Sequence, residues 1–318
     1  MNASPAATPA DQRIAATIIG TLSVQRGTDV LDARSLGGPK PRQILEILLL
    51  NVGVPVSKDR LIDLLWGANP PREALTSVES YVSVLRRRLQ PGGGRSGPLR
   101  TTTGGYVLDA AAVDLDLTRF DALLRDAQRV APNEAYPMLV QALGMATGPL
   151  LGDELRLAWA EEERRRHAAA VTTARVLAAE SAAAVGRPED GARWARQALE
   201  DDPLNERAWT ALILGLEQAG RPAEGLKAYA ECRTVLDREL GCEPSVKLRQ
   251  AHARLLSATA SGEDELSEAV NALLVLNARL HRVAGAEVPR PDQTKSLDAV
   301  REAGQVLTSF LQRVLEAA

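Results

Sequence analysis

Few side chains in this sequence are spaced for covalent or metal chemistry. The two cysteines, Cys232 and Cys242, are too few for a disulfide framework or a metal cage. The three histidines, His167, His252 and His281, lie far apart, and no HxxxH or CxxC spacing occurs. There is no GxxxxGK[ST] phosphate loop and no nucleophile–base pair, so neither a cofactor nor an enzymatic activity is expected. The spacing that does suggest a task lies between Arg72 and Gln90. Val78, Val82, Leu85 and Leu89 are 4, 3 and 4 residues apart, which on a helix places them within about 60° of one another as a buried stripe. Opposite lie Thr76, Ser80, Ser83 and Arg87, with Val84 beside them and Arg86 and Arg88 on the flanks. Small side chains let a helix backbone approach a DNA groove, hydroxyls bond bases or phosphates, and arginine can bond a guanine edge with two N–H groups. A solvated helix face has a similar composition, so the neighbouring elements must decide.

Those elements are legible. Thr17 to Val24 is β-branched and reads as a strand, with a turn at Arg26–Asp29 and a second strand near Val30 to Leu36. Pro41 to Asn51 predicts a helix with Ile44, Leu45, Leu48 and Leu49 on one face. Ser57 caps a second helix through Trp66. Pro70-Pro71 precedes the third, and Pro91 with three glycines ends it. Leu99 to Leu108 predicts a hairpin with its turn at Gly104-Gly105. Strands, three helices and a terminal hairpin in about 95 residues describe an α+β winged helix-turn-helix, and that context favours the DNA reading of the third helix.

Composition bounds the remainder. The chain has 318 residues, 45% hydrophobic, 25% charged and 3% aromatic, which excludes wholesale disorder and fits Ala-rich helices. The net charge of −3 conceals an asymmetry: residues 34–106 hold 11 basic and 5 acidic side chains, whereas the sequence from 107 onward is acidic. Met1 to Gln12 reads as a disordered tail without signal-peptide character. The most apolar run, Ile44 to Val54, is too short for a bilayer, so a cytoplasmic, nucleoid-associated protein with no membrane partner is expected.

Beyond Asp114 the pattern is helical. Asp114 to Ala131 and Asn133 to Met145 predict two helices, and a long one starts at Trp159, with the run Glu161–Arg166 as its solvated face. The heptapeptide VGRPEDG at Val185–Gly191 recurs as AGRPAEG at Ala219–Gly225, an offset of 34 residues. That period, with a Gly–Pro turn, is the tetratricopeptide signature of stacked helix hairpins. Ala195 and Ala198 then correspond to Tyr229 and Cys232 as packing positions, and Trp159, Trp194 and Trp209 read as core. Ser245 to Leu256 predicts another helix, and residues 257–263 a linker to two amphipathic helices. The fold class is thus mostly α: a disordered tail (1–13), a winged helix (14–112), an all-α tetratricopeptide-like repeat domain (113–257) and a short helical C-terminal tail (258–318).

Pro39 to Gly92, together with VDLDLTRF at Val113–Phe120 and RELGCEPS at Arg238–Ser245, resembles the Streptomyces antibiotic regulatory proteins (SARPs). These join an OmpR-type winged helix to a bacterial transcriptional activation domain, and the resemblance spans roughly residues 15–257. It implies an activator of a secondary-metabolite gene cluster that binds direct repeats in double-stranded promoter DNA near the −35 element. The implied partners are RNA polymerase holoenzyme, through its sigma factor and core subunits, and a second copy of the chain on DNA. The family's groove face carries over to Thr76, Ser77, Ser80, Tyr81, Ser83, Val84, Arg86 and Arg87. Helical geometry agrees for Thr76, Ser80, Ser83 and Arg87 and sets Tyr81 nearer the core. In the wing, Thr102 stands where many relatives carry arginine, which leaves Arg100 as the expected phosphate contact. The competing reading is an interaction scaffold, or a signal-receiving regulator, that uses the helical repeats and binds DNA weakly.

Overall fold

A computed structural model describes residues 13–32, 35–92, 97–154 and 157–260. The expected N-terminal tail up to residue 12, and residues 261–318 of the C-terminal helical segment, lie outside them. The chain divides into two compact units, one ending at Ala178 and the other beginning at Ala179.

In the first unit the expected strand Thr17–Val24 is two strands. The chain runs as β1 (Ile14–Thr17), β2 (Ser23–Arg26) and β3 (Asp29–Asp32), and these join β7 (Val113–Leu115) in the order β3-β2-β1-β7. The break after Thr17 has a specific cause. Ile18 and Ile19 donate their N–H groups to the buried carboxylate of Asp116, at 3.0 Å each, instead of to a neighbouring strand. Gly20 then turns the chain. β1 and β7 pair in parallel across nearly a hundred residues, a partnership that no local pattern announces.

The expected helices form as α1 (Pro39–Leu50), α2 (Lys58–Trp66) and α3 (Ala74–Leu89). Ser57 caps α2, its Oγ accepting the Arg60 N–H at 3.1 Å. A second sheet contains β4 (Val56–Ser57), β5 (Leu99–Thr102) and β6 (Gly105–Leu108) in the order β4-β6-β5. The hairpin turn lies one residue earlier than expected, at Thr103–Gly104, because Gly105 pairs with Thr102. Gly105 crosses so close to the Val56 carbonyl that a Cβ would overlap it. The core of this region is Ile44, Leu45, Leu48, Leu61, Val78, Val82, Leu85, Leu89, Leu99 and Leu108, all 1% exposed or less. α1 is buried on more than the one expected face. Gln43, Glu46 and Ile47 are also buried, and Glu46 is completely so.

After β7 come α4 (Asp116–Ala127) and α5 (Pro132–Met145), which pack on each other, and α6 (Glu161–Ala184). Phe120 is fully buried and meets His167 edge-on, with ring centroids 5.0 Å apart. The run Glu161–Arg166 makes i,i+3 pairs: Glu162 with Arg165, and Glu163 with Arg166 at 3.1 Å. It is not wholly a solvated face. Arg164 is buried, and its Nε donates to the Leu150 carbonyl at 3.1 Å. Trp159 is only half-buried, short of the expected core position.

The second unit contains α7 (Pro188–Asp201), α8 (Glu206–Gln218), α9 (Pro222–Leu240) and α10 (Val246–Ala260). The sequence repeat is a structural one. Gly186 and Gly220 both have positive φ, and Pro188 and Pro222 both open a helix. The Arg187 N–H donates to Ala182 O at 2.8 Å, and its counterpart Arg221 donates to Leu216 O at 2.9 Å. Ala195, Ala198, Tyr229 and Cys232 are all buried, as their alignment predicts. Burial pushes the Cys232 thiol pKa up to about 12. Trp209 is buried and donates to Pro203 O at 2.8 Å, whereas Trp194 is half-buried beneath Arg193. α10 continues four residues past Leu256 into the expected linker. Ser257 and Thr259 turn their hydroxyls back onto the carbonyls of Ala253 and Leu255, so a polar stretch stays helical. Among the described residues no helix is long and apolar enough to cross a membrane.

Candidate nucleic-acid interface

Three elements present the candidate surface: the α2–α3 pair, and the wing formed by β5 and β6. α3 is held by its buried stripe against α1 and α2, so the opposite side of the helix is presented outward. Thr76, Ser80, Ser83 and Arg87 are all exposed along it, at the 4-3-4 spacing of one helical face. Ser83 Oγ donates to the Glu79 carbonyl at 2.9 Å. No ion pair forms at Arg87 or Arg88 among the described residues, and both are exposed. The Arg88 carbonyl, near the negative end of the helix dipole, accepts from Arg26 Nη1 at 2.6 Å. Cations with no intramolecular partner are the ones able to neutralise phosphate or reach a base without first breaking a bond.

The remaining expected contacts are placed differently. Ser77 and Tyr81 are half-buried on the side of α3 nearer the core. Val84 is half-buried because it packs on Gly37, where a Cβ would stand 2.5 Å from its Cγ1. Arg86 is directed into the wing: its Nη2 donates to Thr101 Oγ1 at 2.6 Å, and its guanidinium lies 5.8 Å from the centre of the Tyr106 ring. Arg100 is exposed but paired with Asp109 at 2.5 Å, so a phosphate would have to displace that carboxylate. The Thr102 hydroxyl is buried, without a hydrogen-bond partner among the described residues.

Sequence reasoning passed over one residue that the fold brings to this surface, Lys58. Arg60, on the first turn of α2, is exposed, but it lines a recess with Leu50, Leu64, Trp159 and Glu163, away from the outer row of α3. Lys58 bonds Glu79 at 2.6 Å and lies 5.9 Å from the Tyr106 ring, linking α2, α3 and the wing. Glu79 raises the Lys58 pKa, and burial raises that of Tyr106. For Arg86 a signal was available, since one residue turns about 100° on a helix and carries it from the Arg87 face towards the hairpin. For Lys58 none was, because its place depends on how α2 packs against α3 and the wing.

Comparison with known proteins agrees with this architecture. Residues 35–108 match the family model of the C-terminal domain of transcriptional regulatory proteins, and residues 115–256 match that of the bacterial transcriptional activator domain. The regulatory protein DnrI of Streptomyces peucetius is 31% identical over 237 residues, covering 69% of this chain and 84% of DnrI. The regulatory protein AfsR of Streptomyces coelicolor is 29% identical over 76% of this chain, which spans only 24% of that larger protein. The transcriptional regulatory protein EmbR of Mycobacterium tuberculosis is 33% identical over 227 residues, 69% of this chain and 58% of EmbR. The solved structure of M. tuberculosis EmbR, in complex with a low-affinity phosphopeptide, superposes with a TM-score of 0.67 at 28% identity, covering 82% of this chain and 71% of that one. These relatives are transcriptional regulators.

Proposed function

We propose, from the premise that this chain belongs to the Streptomyces antibiotic regulatory protein family, that it is a sequence-specific DNA-binding activator of transcription. One observation carries the reading: the exposed row Thr76, Ser80, Ser83 and Arg87 on a helix whose opposite stripe is locked in the core. The row spans about three turns, is lined by small hydroxyl side chains as far as Ser83, and ends in Arg87, which like the adjacent Arg88 forms no ion pair among the described residues. In this reading α3 lies in the major groove and Arg87 and Arg88 meet phosphate or guanine. The wing tip at Thr101–Gly104 lies against the neighbouring groove. The targets are direct repeats near the −35 element of a secondary-metabolite cluster, bound by two copies of the chain. The helical part, residues 113–257, then recruits RNA polymerase through its sigma factor and core subunits. The protein works in the cytoplasm, at the nucleoid, and is assigned no catalysis.

Binding to the intergenic DNA of its own gene neighbourhood, measured from low to moderate salt, tests this. Each neutralised phosphate contributes a slope of about −0.9 in log K against log salt, so two to four contacts per copy predict roughly −2 to −4 for one bound copy and twice that for two. No binding at low salt, or the same affinity for random DNA, would overturn the reading.

A further inference from the structure

Arg86, in the last turn of α3, and Gln90, its C-cap, stand one turn apart, and both reach the first strand of the wing. Arg86 Nε donates to the Leu99 carbonyl at 3.2 Å, and Gln90 Oε1 accepts the Leu99 N–H at 2.9 Å. Both backbone groups of Leu99 are thus held by side chains of the recognition helix. β5 is an edge strand, and its ladder alternates. Pro98 O accepts the Asp109 N–H at 2.8 Å, so the groups of Leu99 are turned outward, away from β6. Left bare they would be an unpaired edge. Gly97 lets the Gln90 side chain pass, since any Cβ there would overlap it. Arg86 continues to Thr101 Oγ1 at 2.6 Å, two residues nearer the wing tip. Its guanidinium and the Lys58 ammonium both lie within 6 Å of the Tyr106 ring centre, so cations from α2 and α3 bear on the same wing residue.

We propose that Arg86 and Gln90 form a clamp that fixes the wing relative to the groove face of α3, with Arg86 a positioning residue and not a DNA contact. The clamp rests on the DNA-binding reading for its consequence: the distance between the major-groove contacts and the wing contact is set once, by two side chains of one helix. Gln90 is 6% exposed and cannot itself reach DNA. Any effect it has on the wing's contact must pass through β5.

The full-length chain carrying Arg86→Ala, Arg86→Lys, Gln90→Ala, or Arg86→Ala with Gln90→Ala is footprinted with hydroxyl radicals on the promoter fragment. Guanine-methylation interference reads the α3 contacts in parallel. Arg86→Ala and Gln90→Ala should each lose protection at the wing-side edge and bind about three- to tenfold more weakly, the scale of one ordinary hydrogen bond. The guanine pattern should be unchanged, and the double variant no weaker than the weaker-binding single variant. Arg86→Lys should behave as Arg86→Ala, because one ammonium cannot take the place of the planar fork across both acceptors. The clamp is overturned if Gln90→Ala keeps the wild-type footprint, if Arg86→Lys keeps wild-type affinity, or if the two alanine effects add. Amide exchange at Leu99 reads the clamp without DNA: in Gln90→Ala it should accelerate more than exchange at the buried amides of α1, which report global unfolding, and an acceleration no greater than theirs would refute it. Failure of the wild-type chain to bind DNA would instead refute the functional reading.

Discussion

Glu46 offers a prediction whose size follows from the structure. Its carboxyl lies in α1, fully buried, with Arg42 Nε 3.5 Å away. Burial raises its pKa from 4.5 to about 7, the positive charges of Arg42 and Arg164 pull it back, and Asp153 adds to the rise. A raised carboxylate pKa means that the folded state holds the proton more tightly than the unfolded chain. Below pH 4.5 both states are protonated and there is no effect. Between about pH 4.5 and 7 the unfolded chain ionises first, so stability falls as pH rises, and above 7 the loss is complete. At 1.36 kcal/mol per pKa unit, the difference corresponds to about 3 kcal/mol. Glu46→Gln keeps the shape and abolishes the titration. Its stability relative to wild type should therefore improve by about 3 kcal/mol between pH 4 and pH 8, whatever the amide costs in packing. Urea melts followed by tryptophan fluorescence in a Trp194→Phe, Trp209→Phe background would confine the signal to Trp66 and Trp159 of the first unit. A difference that does not change with pH, or a Glu46 carbon resonance titrating near 4.5, would refute the reasoning.

Other expectations concern the surface. Arg87→Ala should cost ~1–3 kcal/mol on specific DNA if Arg87 reads a base, measured by titration against specific and random duplexes. An equal loss on both would restrict it to phosphate. Asp109→Asn releases Arg100 from its 2.5 Å partner, so binding at low salt should tighten and the salt slope steepen by about 0.9; an unchanged slope would leave Arg100 off the DNA. In the native protein a thiol reagent at pH 8 should label the exposed Cys242 and spare the buried Cys232, whose pKa is pushed up to about 12. Rapid labelling of both would contradict the packing of α9.

The periodic features were legible in the residues. The stripe Val78–Leu89, the Ser57 cap and the two Gly–Pro turns 34 residues apart each obey a local rule, and each is found where that rule puts it. The departures share a different origin. Thr17–Val24 is broken because Asp116, far along the chain, captures two of its amides. Arg164 leaves its solvated run because the Leu150 carbonyl needs a donor. Glu46 is buried by neighbours that cover α1 on more than one side.

The candidate site divides in the same way. Helical periodicity alone singled out Thr76, Ser80, Ser83 and Arg87, because a helix must place its apolar stripe inside and its opposite face outside. Which arginines of that neighbourhood remain available was decided by tertiary structure. Arg86 is taken by the wing and Arg100 by Asp109, whereas Arg87 and Arg88 stay exposed. A charged side chain is long enough to choose among partners within several ångströms, and only the folded chain determines which carbonyl, carboxylate or ring lies within that reach.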